Sequence, residues 1–327
     1  MRIAVTGSIA TDHLMSFPGK FSEHILLDQV DRISLSFLVD GLEVRRGGVA
    51  ANIAFGLGSL GLTPYLVGAA GHDFTDYGEW LRRHGVDTES VRISASKHTA
   101  RFVCTTDEAQ NQLASFYTGA MAEAREIELT PVAERVGGVG MVVIGPNDPE
   151  AMLRHTDECR AMGFPFLADP SQQLARADRE MARSLVDGAT YLFTNEYEAA
   201  LLTQKSGWTP REVLERVGHW VITRGAEGST IEHRDRPPVA VPAVTARAIA
   251  DPTGVGDAFR AGYLAGLSWG LDERGCAQLG SVLATLALEV VGTQEYRLDP
   301  ADLLERLRGS YGDEAAAPIA RRLPAAV

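Results

Sequence analysis

The sequence predicts an α/β fold: a doubly wound, mostly parallel sheet with helices on both faces, plus a small antiparallel β lid. Three observations predict it. Short apolar runs rich in β-branched residues recur at 3–6, 65–68, 141–144, 166–168, 191–194 and 220–223, as buried parallel strands require. Helical patterns fall between them, at 50–60, 77–84, 149–162, 179–186 and 210–217, and such alternation implies βαβ units. Two stretches, 33–46 and 99–117, break the rhythm with strand-like patterns around turn residues.

In chain order, the strand at 3–6 opens the main body. Ile33, Leu35, Phe37 and Val39 then alternate with polar residues, meet Asp40-Gly41 and continue through 42–46, the pattern of a tight hairpin. Helix, strand and helix follow at 50–60, 65–68 and 77–84. A second hairpin runs along 99–106, turns through 107–111 and returns along 112–117. Strand and helix alternate again from 141 to 223. Two long helices, 257–269 and 272–291, and a shorter one at 300–307 close the chain, and the Ala/Pro/Arg-rich stretch after 315 is expected to fray. The expected division is a main domain over 1–12, 47–97 and 119–327 with a discontinuous lid over 13–46 and 98–118. A small sheet of this kind has a second face to hide. The apolar stripe Ile33, Leu35, Phe37 and Val39 therefore predicts a homodimer formed through the lid, with Ser36 or Phe37 reaching the neighbouring site.

The 327 residues, 45% of them hydrophobic, can bury a large core. A formal net charge of −12 argues against nucleic acid as a partner, since that requires basic surface. Cys104, Cys159 and Cys276 are widely spaced and suggest neither a disulfide framework nor a zinc site. The N-terminal segment lacks a signal-peptide layout, and the best apolar stretch, 282–291, contains Glu289 and is too short to span a bilayer. A cytoplasmic protein without a membrane partner is expected.

The strongest chemical signal is Asp-Pro-Thr-Gly-Val-Gly-Asp-Ala-Phe-Arg-Ala-Gly, residues 251–262. Gly254, Val255 and Gly256 offer successive N–H groups at a helix start, where partial positive charge collects. A phosphoryl transition state needs such donors, and side chains there would block its approach. Asp257 sits in the first helical turn, placed to accept the proton of an attacking hydroxyl. A glycine turn with Asp as N-cap would explain a lone G-x-G-D, but not the whole run. Gly47-Gly48 lets backbone approach a polyol, and Asn52 can donate to and accept from adjacent hydroxyls. A helix entry with a solvated Asn explains those residues equally well. Gly56-Leu-Gly-Ser-Leu-Gly61 fits G-x-G-x-x-G but lies late in a helix rather than after a strand, so it is no dinucleotide fingerprint. Walker A, H-E-x-x-H and G-x-S-x-G motifs are absent, and the eight histidines show no ligand spacing.

The 251–262 run resembles the D-T-x-G-A-G-D signature of ribokinase-like (PfkB) sugar and nucleoside kinases, with Pro252 and Val255 replacing commoner residues. The resemblance covers nearly the whole chain: Gly47-Gly48 with Asn52, then Leu60-Gly61, 67–73 and 85–87 follow the family's order. Asn195-Glu-Tyr-Glu198 corresponds to its Asn-x-x-Glu element, which implies that Glu198 holds magnesium-bound water and Asn195 lies near the phosphates. Any helix start yields that spacing by chance. Thr223-Arg224-Gly225-Ala-Glu-Gly228 resembles the family's Thr-x-Gly-x-x-Gly, whose backbone cradles ATP phosphates and ribose; a hairpin turn is the alternative. The resemblance implies ATP and Mg²⁺, with K⁺ as activator bound by carbonyls before Asp257 and at Gly292-Thr293.

Within the family the chain is most similar to adenosine kinases of bacterial, actinobacterial type, over 5–13, 35–38, 99–102, 114–117, 168–176 and 292–295. This implies 5′-phosphorylation of adenosine to AMP in purine salvage, with Ser8, Asp12, Ser36, Gly48, Asn52, Gln172, Gln173 and Arg176 around the nucleoside. Phe102 and Phe116 stand nearly opposite each other on one hairpin and could stack on a purine, or simply form the core of the small sheet. A fructokinase or ribokinase would share the phosphate-side motifs and differ in the lid. A non-catalytic sugar-binding regulator would be expected to lose the catalytic acid, and Asp257 is present.

Overall fold

Alternate residues along the central strands enter two separate hydrophobic cores. Val5, Val143, Leu167, Phe193 and Val221 face one core; Ala4, Val142, Phe166, Leu192 and Trp220 face the other. That is the period of a pleated strand in a sheet buried on both sides, and it explains the unbroken apolar runs. Each fully buried Phe or Val contributes about 1.5–3 kcal/mol.

The structure, a computed structural model, describes residues 1–24 and 35–324. Its strands are β1 (Ile3–Thr6), β2 (Ala10–Ser16), β3 (Gly41–Gly47), β4 (Tyr65–Ala70), β5 (Val91–Ile93), β6 (Ala100–Thr106), β7 (Gln112–Tyr117), β8 (Met141–Ile144), β9 (Phe166–Ala168), β10 (Tyr191–Asn195), β11 (His219–Thr223), β12 (Ser229–Glu232) and β13 (Val239–Val241). Its helices are α1 (Val49–Ser59), α2 (Thr75–Arg83), α3 (Leu129–Arg135), α4 (Pro149–Met162), α5 (Arg179–Ser184), α6 (Glu196–Ser206), α7 (Pro210–Leu214), α8 (Val255–Trp269), α9 (Glu273–Leu288), α10 (Pro300–Tyr311) and α11 (Asp313–Ala320). The stretch after 315 does not fray at once: α11 continues to Ala320 because Ala316 and Ile319 are buried. Among the described residues no helix is long and apolar enough to cross a membrane.

The large sheet has the order β13-β12-β11-β10-β9-β8-β1-β4-β5. It is parallel from β5 to β11; β12 alone runs against the others, so its pairings with β11 and β13 are antiparallel. Winding proceeds one way from β1 through β4 and the other way through β8, so the order reverses beside β1. In open α/β sheets ligands bind in the crevice at the carboxyl ends of strands flanking such a reversal. Gly48 shapes this crevice. It takes φ 95°, and a Cβ there would come within 2.6 Å of the Ala10 nitrogen and the Ser8 carbonyl, so only glycine admits α1 so close to the end of β1.

The second sheet has the order β3-β2-β6-β7, antiparallel except for the β2–β6 pairing. Residues 99–117 form the expected hairpin, with Phe102 directly opposite Phe116. The 33–46 hairpin is corrected. β3 pairs instead with β2, Ser16 opposite Gly41 and Asp12 opposite Arg45. Residues 35–39 carry no strand, and Ile33 lies outside the described residues. Phe37 packs against Phe17 and Phe21, with ring centroids 4.9 and 5.0 Å apart. The true partner was hidden because Ala-Thr-Asp-His-Leu-Met-Ser is polar and poor in β-branched residues; its flanking strands, not its propensity, make it a strand.

Candidate active site

Three cavities meet at Gly256, where α8 begins. The first, about 500 Å³, lies between the small sheet and the reversal crevice and is lined by Ser8, Asp12, Asn52, Phe102, Phe116 and Asp257, among others. The second, about 310 Å³, is lined by Asp169, Asn195, Glu198, Thr223, Asp257 and Arg260. The third, about 580 Å³, is mainly apolar, with Val244, Ile249, Val255, Phe259 and Leu288 in its wall.

The junction is built by the 251–256 loop. Gly254 is the N-cap of α8 with φ 76°, and a Cβ on it would lie 2.9 Å from Thr293. The Asp251 carboxylate accepts from the amides of Thr253 at 2.9 Å and Gly292 at 3.1 Å, tying the loop to the 292 turn. The first-turn amides of α8, which no helical carbonyl satisfies, therefore open where the cavities join.

Asp257 Oδ2 accepts from Asn52 Nδ2 at 2.8 Å. Burial is the main influence on this carboxyl and pushes its pKa up to about 7, against the opposing pull of Arg260 and Asn52. Asn52 is itself held. Its Oδ1 faces Thr293 Oγ1 and Gln294 Nε2, both at 2.9 Å. Gln294 Nε2 also donates to Tyr77 OH at 2.6 Å, Trp80 Nε1 donates to Gln294 Oε1 at 3.1 Å, and Tyr77 donates to the Gly47 carbonyl at 2.8 Å. Thr293 Oγ1 has one proton and lies equally 2.9 Å from the Arg46 carbonyl, but with the Gln294 donor on its oxygen Asn52 has only its NH₂ to turn toward Asp257.

Behind the helix start, Arg260 pairs with the buried Asp169 at 2.6 Å and donates to the Gly256 carbonyl at 3.0 Å. Burial works against the Arg260 charge, but Asp169 and Asp257 outweigh it and its pKa is raised. Across the first cavity, burial pushes Asp12 up to about 6, with Arg45 opposing.

Most of the residues singled out from sequence converge here. Ser8, Asp12, Gly48, Asn52, Phe102, Phe116, Gln172, Gln173, Gly254, Gly256 and Asp257 line the first cavity. Ser8 Oγ accepts from the Val49 amide at 3.0 Å, which leaves its proton for another acceptor. Asn195, Glu198, Thr223 and Gly225 line the second cavity, and Val255 and Gly228 the third. Glu198 and Asn195 form the capping box of α6: the Asn195 amide donates to Glu198 Oε2 and the Glu198 amide to Asn195 Oδ1, both at 2.8 Å. Ser36 and Arg176 are exposed and line none of the three cavities. Arg224 pairs instead with Glu196.

Sequence reasoning missed Tyr77, Asn147, Asp169, Arg260, Gln294 and the apolar wall of the third cavity at Val244, Ile249, Phe259 and Leu288. An arginine on the otherwise small, apolar face of the 251–262 helix was the one available signal, because a buried arginine demands an acid partner. Asn147 is fully buried in the wall of the first cavity, and its Nδ2 has no partner among the described residues.

Known proteins share this fold. A nucleoside kinase of Methanothermobacter thermautotrophicus is 31% identical over 298 residues, covering 90% of this chain and 94% of that protein. The Burkholderia thailandensis nucleoside kinase superposes with a TM-score of 0.84 in its ligand-free form, at 38% identity over 93% of this chain and 99% of that one. Its complex with inosine gives 0.79 at 36% identity, covering 95% of this chain and 98% of that one. The Methanocaldococcus jannaschii nucleoside kinase, a member of the ribokinase family, gives 0.82 at 25% identity over 94% and 99% of the two chains. The pfkB family carbohydrate kinase model matches residues 21–299, and with this fold and this glycine-led helix start the chain belongs to that family of kinases.

Proposed function

We propose that this kinase transfers the γ-phosphoryl group of ATP to the 5′-hydroxyl of a nucleoside, with adenosine converted to AMP in purine salvage. The observation that carries the reading is Asp257, a carboxylate tuned to about 7 at the boundary between a cavity with two phenylalanines in its wall and one at a helix N-terminus. The nucleoside occupies the first cavity, ribose toward Asp12, Gly48 and Asn52 and base toward Phe102 and Phe116. The triphosphate lies in the second, cradled by the backbone at Thr223, Gly225 and Gly256, and the ATP base fills the apolar third. The similarity to nucleoside kinases, one of them in complex with inosine, supports a nucleoside over a simple sugar.

In the reaction Asp257 takes the 5′-hydroxyl proton while the hydroxyl oxygen bonds to the γ-phosphorus and the bond to the bridging oxygen breaks, releasing ADP. Asn52 aims the carboxylate, and the amides at Gly254–Gly256 receive the charge on the transferring group. Glu198 and Asn195 fit a hydrated Mg²⁺, since that ion keeps waters and phosphate oxygens and needs few protein ligands; when bound it neutralises phosphate charge. The 251–254 loop and the 292 turn, joined through Asp251, suit a K⁺ activator. The four-stranded sheet, expected at 13–46 and 98–118, acts as lid over the nucleoside.

We place this acidic protein, with its three buried free cysteines, in the cytoplasm. A homodimer through the lid remains our reading, with the contact moved. Leu42, Val44 and Leu113 are 60, 57 and 48% exposed, whereas Phe37 is occupied by Phe17 and Phe21. A coupled assay of ADP release over adenosine, inosine, cytidine, fructose and ribose, with and without K⁺, tests the substrate. Adenosine should give the highest kcat/KM, and a preference for fructose or ribose would end the nucleoside reading. Sedimentation of wild type and Val44→Glu tests the dimer, which the charge should split.

A further inference from the structure

We propose that His219, His233 and Glu273 form a binding site for one divalent transition-metal ion, of which zinc fits best, away from the catalytic cavities. His219 opens β11, His233 directly follows β12, and Glu273 is the first residue of α9. The antiparallel register, Trp220 opposite Glu232, sets the two histidines side by side. One ring nitrogen from each and one carboxylate oxygen lie within 4.8 Å of one another.

Two features point to a cation between these groups. His219 Nδ1 lies 3.3 Å from the Thr190 carbonyl, which it can approach only as a donor. That leaves Nε2, 2.9 Å from the Glu273 carboxylate, as the ring nitrogen that faces the cluster. An Nδ1–H bonded to a backbone carbonyl is also how metal-bound histidines fix their tautomer. The second feature is His233. Its side chain is only 5% exposed, and its Nε2 has no hydrogen-bond partner among the described residues, although Glu273 lies 3.1 Å away.

Two histidines, one carboxylate and a water complete a tetrahedral zinc set. Arg236 also pairs with Glu273, and its exposed side chain can turn to solvent when an ion takes its place. The ion would fasten the β11–β12 hairpin to the start of α9, a helix whose Ser281, Ala284 and Leu288 wall the third cavity. Thr223 lies about 13 Å away along β11, at ~3.3 Å per residue, so the site takes no part in phosphoryl transfer.

The test titrates the full chain, free of any polyhistidine tag, with Zn²⁺ and Co²⁺, followed by calorimetry and visible absorption. One equivalent should bind with micromolar or tighter affinity, Co²⁺ should show the intense visible bands of a tetrahedral site, and saturating Zn²⁺ should raise Tm by roughly 2–4 °C. His233→Gln and Glu273→Gln, made separately, should each weaken binding at least ~10-fold while kinase turnover, which also reports folding, stays at the wild-type level. His98→Gln, in the exposed cluster with His72 and Asp73, should leave binding unchanged. Absence of saturable binding, binding that persists in both Gln variants, or loss in His98→Gln overturns the proposal and leaves Glu273 as a hydrogen-bond hub only.

Discussion

Asn52 and Asp257 lie 205 residues apart in sequence, yet Nδ2 of one donates to Oδ2 of the other at 2.8 Å. The amide that aims the carboxylate is fixed in turn by Thr293 and Gln294.

Removing the carboxylate separates catalysis from stability. Asp257→Asn should lower kcat at least ~10²-fold with little change in nucleoside or ATP affinity. Its Tm should rise, because the buried charge it removes is costly to the folded state. Turnover and thermal unfolding of the same sample check both, and near-normal turnover would remove Asp257 as the base.

The pH dependence follows from the same group. Its pKa is raised from 3.8 to about 7, so the folded state holds a proton that the unfolded chain has lost. Stability from this group therefore falls as pH rises from about 4 to 7. The base form appears over the upper part of that window, so kcat/KM should fall on the acid side of about 7. Its pH profile checks this, and a flat profile between pH 5.5 and 8 (roughly 1.5 units below to 1 above the folded value) contradicts it.

Gln294 is a positioning residue and should act only through Asn52. Gln294→Leu frees the Asn52 amide to turn, and kcat should drop about 10-fold with KM for nucleoside nearly unchanged. The hydrogen bond from Asn52 lowers the Asp257 pKa, so weakening it should move the acid limb of the profile upward. A purely structural defect would lower activity without moving that limb.

The lid phenylalanines test the substrate class. Phe102→Ala and Phe116→Ala should each raise KM for adenosine by roughly 5- to 150-fold, the factor for a stacking loss of ~1–3 kcal/mol. Residual turnover of ribose should change much less, because a sugar has no aromatic face. Parallel losses for both substrates would indicate lid collapse instead.

What the sequence determined by itself was local. The alternation of strands such as Met141–Ile144 with helices such as Pro149–Met162 rests on periodicity within a few residues. The helix start at Gly254–Asp257 was legible because one short window holds the positive-φ glycine, the open amides and the acid. The pairing of β3 was not legible, since a polar strand such as Ala10–Ser16 is made by its neighbours. Nor were the links from Asn52 to Gln294, from Arg260 to Asp169 or from His219 to Glu273, which join residues on different elements. Only the tertiary structure decided them, because the order of strands in the sheet brings these side chains together, and no window of sequence contains both partners and the strands between.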